Sequence, residues 1–190
     1  DLRRTSDGVL VGYHDGTMRR LFHREAAIES HTWKELCNLP LYNYVGEVNG
    51  TGLERFEQIL ESLKDRTVLT LDKCWDCWDD VYACLCTAQM TEQAIFKFYI
   101  EDENARRWAA SHADCLFLPM VRKPEYLPMV EELARKTPVP AAEITPHSPK
   151  DPIYADSVVE WLKERRIRIL CNSLNLGTRL IYGAGYDDLR

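Results

Sequence analysis

Short apolar runs alternate with amphipathic stretches along most of the chain. The run at 9–13 follows Asp7-Gly8, a hairpin turn signal because glycine tolerates positive φ. Apolar runs predict further strands at 67–72, 94–100, 115–121, 139–144 and 166–173. Amphipathic patterns predict helices at about 52–64, 76–90, 102–111, 124–136 and 155–165. Residues 19–50 follow neither period, so we predict an irregular insertion there.

The alternation of strand and helix favours parallel βαβ units, which build either a doubly wound sheet or a (β/α) barrel. A doubly wound nucleotide-binding sheet usually has a glycine-rich turn after its first strand. Neither G-x-G-x-x-G nor G-x-x-x-x-G-K-[ST] occurs in this chain. We therefore predict an α/β fold of the TIM-type (β/α) barrel class, as a single domain over residues 1–190.

Polar residues follow or interrupt several predicted strands. They are His14-Asp15 after the first run, Asp72-Lys73 after VLTL, Lys97 within AIFKF, Glu143 within PAAEI and Asn172 within ILCNS. A charge in a buried parallel strand costs several kcal/mol unless it is paired or bound to metal. The carboxyl ends of barrel strands are also where functional side chains meet. A shared polar site is favoured, with a structural ion pair as the alternative for each strand residue and a polar hairpin turn as the alternative for His14-Asp15.

Charge and hydropathy argue against binding to nucleic acid and against a membrane-spanning segment. The net charge of -6 over 190 residues argues against a nucleic-acid backbone, since proteins that bind one concentrate Lys and Arg. No apolar run reaches the roughly 18 residues needed to span a bilayer. The N-terminus has no basic segment followed by an apolar one. We expect a soluble protein, whose unpaired thiols favour the cytoplasm, and a targeting segment removed before Asp1 is left open.

Seven cysteines cannot all pair within one chain, so reduced thiols are expected. Cys74-x-x-Cys77 has the spacing of half a zinc site, whereas Cys84-x-Cys86 does not. The bulky residues of the same stretch recur at helical intervals. They are Trp75, Trp78, Val81, Tyr82 and Leu85. We favour an amphipathic helix with cysteines as small buried residues, and zinc is the minor alternative.

The insertion at 19–50 carries its own apolar residues. They are Trp33, Leu36, Leu39, Leu41 and Tyr42. A small satellite core under a long loop is favoured over a cover for the barrel mouth. His23 and His31 are interpreted as surface histidines rather than ligands.

The N-terminal segment DLRRTSDGVLVGYHD resembles the glycerophosphodiester phosphodiesterase family, whose pattern there is E-x-D-V-x-x-T-x-D-G-x-x-V-x-x-H-D. Asp1 falls on its second acidic residue and His14-Asp15 on its final pair. LTLDKCWD resembles the strand that supplies another metal carboxylate, in a branch where Asp-Lys replaces Glu-x-Lys. FKF at 96–98, FLPMV at 117–121, AAEI at 141–144, CNSLN at 171–175 and GAGYDD at 183–188 follow in that branch's order.

The resemblance implies a metal-dependent phosphoric diester hydrolase. Asp1 and Asp72 would bind a divalent ion, Mg²⁺ or Ca²⁺, and Lys97 and Lys73 would contact the phosphate with Glu143 in the substrate site. His14 would be the general acid, with Asp15 orienting it. Lys73 is the weaker candidate, because strand alternation puts it opposite Asp72 unless the strand has already ended.

The chain departs from the family pattern at both ends. It lacks the H-R motif of the first strand, the first glutamate of E-x-D and the last strand, which leaves about six of the eight strands of such a barrel. The barrel is therefore expected to be incomplete at both ends, with activity impaired if the chain is whole. Two alternatives remain: a lyase-type phospholipid phosphodiesterase that releases a cyclic phosphate, and a non-catalytic barrel remnant that binds a phosphate ligand.

Overall fold

The computed structural model of the chain describes residues 1–43, 45–146, 148, 150–172, 174–175 and 180–181. The chain forms two compact units, residues 1–94 and 95–190. The prediction of a single domain stays a prediction. None of the helices in this described part has the length and apolar character needed to cross a bilayer.

The first unit contains a hairpin, short helices of the insertion, and a helix–strand–helix segment. The bounds are β1 Leu2–Arg4, β2 Leu10–Gly12, α1 Arg19–Phe22, α2 Trp33–Leu36, α3 Phe56–Leu63, β3 Leu69–Leu71 and α4 Trp78–Ala88. Helix α3 begins later than its predicted start at residue 52. The Gln58 side chain accepts a hydrogen bond from the Arg55 backbone N–H at 3.0 Å, which satisfies a donor at the start of the helix.

The hairpin at the N-terminus forms because its turn chemistry agrees with its strands. Strands β1 and β2 are antiparallel, with Leu2 opposite Gly12. Gly8 has φ of 87°, which glycine adopts without steric cost. The Thr5 hydroxyl donates to Asp7 Oδ1 at 2.6 Å and accepts from the Val9 backbone N–H at 2.9 Å. The turn therefore places the end of β2 beside Asp1.

The insertion packs as a small hydrophobic core, which confirms the satellite-core interpretation. Its buried members are Val11, Tyr13, Met18, Phe22, Ile28, Leu36 and Leu53. Trp33, Leu39 and Leu41 are partly buried against this cluster. The Tyr13 and Phe22 rings lie 5.7 Å apart between centroids. The segment that follows β2 is thus anchored by apolar contacts even where it has no regular structure.

The cysteine-rich stretch differs from the prediction in two places. Helix α4 begins only at Trp78, so Trp75 lies in the preceding turn and is 45% exposed. Cys86 is exposed, and only Cys74 and Cys77 behave as the predicted buried residues. Trp75 precedes the helix because the Cys77 N–H closes a turn on the Cys74 carbonyl at 3.1 Å. Helix α4 buries Trp78, Val81 and Leu85 on one face, and Cys86 lies outside that face. Burial raises the pKa of both thiols to about 12.

The second unit contains parallel strands joined by helices, which confirms the predicted βαβ pattern, and two short strands near its end pair antiparallel. The bounds are β4 Ala94–Tyr99, α5 Glu103–Ser111, β5 Leu116–Val121, α6 Leu127–Ala134, β6 Ala141–Ile144, α7 Asp156–Glu164, β7 Arg168–Cys171, β8 Leu174–Asn175 and β9 Leu180–Ile181. Strand β5 lies between β4 and β6, and β6 pairs with β7, all in parallel. Phe96, Phe98 and Phe117 fill the core on one face of the sheet. The predicted segment at 183–188 lies outside the described residues.

Candidate active site

His14 lies two residues beyond the end of β2, and its side chain points away from that of its buried neighbour Tyr13. The Tyr13 ring is buried, and its hydroxyl donates to the Thr17 carbonyl at 3.0 Å. Because successive side chains of an extended segment alternate, His14 points the other way, and its side chain is 39% exposed. The Tyr13 backbone N–H donates to the Asp1 carbonyl at 3.1 Å, so the start of β1 lies beside His14.

Both ring nitrogens of His14 have partners. Nδ1 lies 2.7 Å from Asp15 Oδ1, and Nε2 lies 2.8 Å from Lys73 Nζ. A lysine ammonium only donates hydrogen bonds, so Nε2 is the acceptor in this contact. The ring proton is then on Nδ1 and is donated to Asp15. The carboxylate and the ammonium together orient the ring and favour the Nδ1–H tautomer of the neutral imidazole.

Lys73 reaches His14 because β3 ends at Leu71. Lys73 has φ of 58°, in the left-handed region, and its backbone N–H donates to Asp72 Oδ1 at 2.8 Å. A left-handed residue breaks the alternation of a strand, so Asp72 and Lys73 are not held on opposite faces. Strand β3 has therefore already ended before Lys73, which is the condition under which Lys73 was expected to reach the site. Lys73 also approaches the His14 carbonyl oxygen, at 3.4 Å.

Asp1 and Asp72 are carried by hydrogen-bonded segments of backbone. The Leu2 N–H donates to the Asp72 carbonyl at 3.1 Å, which sets β1 beside the end of β3. Asp1 Oδ2 lies 3.9 Å from His14 Nε2. All five residues predicted from the N-terminal unit are thus held together. They are Asp1, His14, Asp15, Asp72 and Lys73.

Asp15 has a second partner that the sequence analysis missed. Arg20 Nε donates to Asp15 Oδ2 at 2.7 Å and Arg20 Nη2 to Oδ1 at 3.1 Å. These bonds, followed by the bond to His14, lower the pKa of Asp15 to about 2. Arg20 lies in the irregular insertion, where no periodic pattern marks a side chain as directed to the site. Arg3 was also missed, and its Nη2 donates to the His14 carbonyl at 3.3 Å.

The second unit brings together the other predicted residues. Lys97 Nζ lies 2.9 Å from Glu143 Oε2, and Asn172 Nδ2 donates to Glu143 Oε1 at 2.9 Å. The Glu143 side chain is 1% exposed and that of Lys97 13%. Lys97 lies on β4 and Glu143 on β6, so their ion pair passes over β5 between them. The polar residues of three strands in this unit therefore share one buried cluster.

The chain is similar to known proteins in both sequence and fold. The model of the glycerophosphoryl diester phosphodiesterase family matches residues 1–172. The chain belongs to this family. Among curated proteins, none matches it.

Solved structures of glycerophosphoryl diester phosphodiesterases have the same fold. The protein from Parabacteroides distasonis is 20% identical with a TM-score of 0.76, and the match covers 92% of this chain and 62% of that one. The protein from Agrobacterium tumefaciens is 20% identical with a TM-score of 0.63, covering 90% and 71%. The Thermotoga maritima protein is 17% identical with a TM-score of 0.64, covering 92% and 71%. The predicted α/β fold, part of a TIM-type barrel, is confirmed, and the chain spans less than two thirds of the Parabacteroides protein.

The carboxylates near His14 offer oxygen atoms, which are the ligands that Mg²⁺ and Ca²⁺ prefer. Among the described residues, no three His, Cys, Asp or Glu side chains converge as a complete cage. Mg²⁺ is commonly held by one or two carboxylates, with water and substrate phosphate as its other ligands. Asp1 and Asp72 are carboxylates on adjoining segments of backbone, and a carboxylate is the type of ligand that such an ion takes.

Proposed function

We propose that the chain catalyses divalent-metal-dependent hydrolysis of glycerophosphodiesters to an alcohol and glycerol-3-phosphate, with His14 as general acid. The observation that carries this proposal is the His14 imidazole, which lies 2.7 Å from Asp15 and 2.8 Å from Lys73. Membership of the glycerophosphoryl diester phosphodiesterase family supports the reaction class, that of a phosphoric diester hydrolase. The substrate is a small-molecule phosphodiester.

Asp1 and Asp72 would hold the ion, either Mg²⁺ or Ca²⁺. When bound, such an ion supplies positive charge to the nonbridging oxygens of the phosphate. The remaining chemistry belongs to side chains of the chain itself. Lys73 would contribute a further positive charge to the same oxygens, since an ammonium is a compact donor well suited to phosphate.

The contact between Lys73 and His14 has a direct role in this proposal. A phosphodiester anion attracts the Lys73 ammonium away from Nε2, because a full negative charge is a stronger acceptor than a neutral imidazole. Once Lys73 has left, Nε2 takes a proton from solvent, so that the imidazolium faces the leaving oxygen while Nδ1–H stays bonded to Asp15. As the P–O bond to the alcohol breaks, that oxygen takes the Nε2 proton, and water forms the new P–O bond and releases a proton to solvent.

The test is the release of glycerol-3-phosphate from glycerophosphocholine with Mg²⁺ or Ca²⁺. We expect His14→Ala to lower kcat by about 100-fold or more, the usual contribution of a positioned general acid. His31→Ala is the matched control, because His31 lies in the same unit and its ring contacts its own turn, 3.0 Å from Ser30 Oγ and 3.1 Å from the Ala27 carbonyl. Equal activity of His14→Ala and the wild type would remove His14 from the reaction.

Phosphorus NMR of the products separates the alternatives. Glycerol-3-phosphate as the first product supports hydrolysis, whereas a cyclic phosphate indicates the lyase-type reaction. Binding of the diester without any product indicates a non-catalytic phosphate-binding unit. The assignment of Lys97 and Glu143 to substrate binding stays a prediction.

A further inference from the structure

We propose that Arg20 is the positioning residue of His14, acting through the plane of the Asp15 carboxylate. The inference rests on the proposed function of His14 as the group that protonates the leaving alcohol. Arg20 contacts both oxygens of Asp15, at 2.7 and 3.1 Å, whereas His14 contacts only Oδ1, at 2.7 Å. Arg20 does not touch the imidazole in these contacts, so its effect is transmitted by Asp15.

The two-point contact matters because the terminal torsion of an aspartate is broad. A carboxylate with one hydrogen bond can rotate about that torsion, and the imidazole bonded to it follows. The guanidinium is planar and presents a rigid pair of donors, so it fixes the carboxylate plane as well as its position. With the plane fixed, Oδ1 stays on the Nδ1 axis and Nε2 keeps its direction.

Arg20 is itself held by the fold of the insertion. It lies on α1 between Met18 and Phe22, which are both buried in the satellite core. The Met18 N–H donates to the Ala26 carbonyl at 2.7 Å and the Phe22 N–H to the Met18 carbonyl at 2.8 Å. The backbone that carries Arg20 is therefore fixed although its side chain is 59% exposed. The insertion thus acquires a role in orienting the proposed acid.

The neighbouring Arg19 provides a matched control. It lies on the same short helix and pairs with Glu25 at 3.1 Å, and both of these side chains are more than two thirds exposed. Arg19→Ala removes the same charge from the same helix without touching Asp15. Differences between Arg20→Ala and Arg19→Ala therefore report the contact with Asp15 rather than net charge.

The first measurement does not depend on activity. Proton and ¹⁵N NMR of the histidine side chains, with the His14 signal assigned by its loss in His14→Ala, reports the Nδ1 proton. We expect this signal in the wild type and in Arg19→Ala, and its loss through exchange with water in Arg20→Ala. A signal that persists in Arg20→Ala would overturn the proposal.

The second measurement compares two leaving groups on the same glycerol phosphate. Choline leaves as an alkoxide and needs a proton, whereas p-nitrophenolate leaves without one. We expect Arg20→Ala to lower kcat for the choline ester by about tenfold, as a lost outer partner commonly does, and to leave the nitrophenyl ester nearly unchanged. Equal losses on both esters would contradict a role in orienting the acid.

Two further variants complete the test. In an Asp15→Asn background, Arg20→Ala should have no additional effect on kcat, and additive losses would overturn transmission through Asp15. If Arg20→Ala does not fold, Arg20→Lys replaces it, because lysine keeps the charge but not the two-point contact, and the same outcomes apply. If the wild type cleaves neither ester but the NMR signals behave as expected, the proposed function fails and the positioning role stands.

Discussion

The proton on His14 is assigned by the chemistry of its two neighbours. Lys73 has donors only, so the 2.8 Å contact makes Nε2 an acceptor, and Asp15 receives the Nδ1 proton at 2.7 Å. The orientation of the His14 ring therefore depends on the Lys73 ammonium, which reaches the ring because the backbone at residue 73 is left-handed.

The carboxylate of Asp72 is expected to be required for binding of the divalent ion. Asp72→Asn removes an anionic oxygen ligand and should weaken Mg²⁺ or Ca²⁺ binding by about tenfold or more. Isothermal titration calorimetry with the ion alone measures this. Asp76→Asn is the control, since Asp76 is an exposed acid of the same loop. Unchanged affinity in Asp72→Asn would exclude Asp72 as a ligand.

Asp15 is expected to make the stability of the protein depend on acid pH. Its pKa is held at about 2 by Arg20 and His14, below the ordinary value of 3.8. A carboxylate with a lowered pKa stabilises the fold above its unfolded pKa, and this contribution is lost as pH falls from about 4 to about 2. The contribution is about 0.5 kcal/mol, because water screens a partner as exposed as Arg20.

Urea unfolding at pH 6 and at pH 3 measures this effect. The stability difference between wild type and Asp15→Asn should shrink as the pH is lowered. A difference that is the same at both pH values would show that the charge of Asp15 does not contribute.

Among the elements, the packing of β2 against α3 sets the position of the residues that follow β2. The Gly12 N–H donates to the Glu54 carbonyl at 3.1 Å, and a Cβ added at Gly12 would lie 2.7 Å from Ile59 Cδ1. Gly12 therefore lies in close contact with α3, where an added Cβ would displace the end of the Ile59 side chain. Its pattern in the sequence, inside an apolar run, gives no indication of this contact.

Gly12→Ala is expected to destabilise the protein by about 1 kcal/mol through this overlap. Ile59→Val in the same chain removes the Cδ1 atom and should restore part of the loss. Gly16→Ala is the control, because nothing lies within 4 Å of a Cβ at that position. Thermal unfolding of the four proteins tests the prediction, and an equal effect of the two alanines would contradict it.

Across the whole chain, each unit holds its own group of the predicted polar residues. In the second unit, Lys97 and Glu143 form a buried pair that Asn172 completes. Lys97→Met leaves the Glu143 carboxylate without its cation and should destabilise the protein by about 3 kcal/mol. Lys136→Met is the control, since Lys136 pairs with Glu132 on the surface. Similar losses from the two variants in urea unfolding would exclude a structural role for the buried pair.

The alternating strands and helices were predictable from the sequence, whereas the short helices α1 and α2 of the insertion were not. Strand and helix alternate with a clear period, and residues such as His14 and Asp72 interrupt apolar runs where a buried charge needs a reason. The role of Arg20 and the orientation of Lys73 could not be predicted from the sequence. The first depends on tertiary packing of an aperiodic insertion, and the second on one backbone torsion after β3.

The reactivity of the buried thiols Cys74 and Cys77 can be used to measure local unfolding of the loop after Lys73. Cys74 and Cys77 are buried and have pKa values of about 12, whereas Cys86 on α4 is exposed. A maleimide dye should modify Cys86 at once and reach Cys74 only when the segment beside Asp72 unfolds. The difference between the two reaction rates then measures the stability of that segment against local unfolding. It also shows how much a bound cation or diester increases this stability.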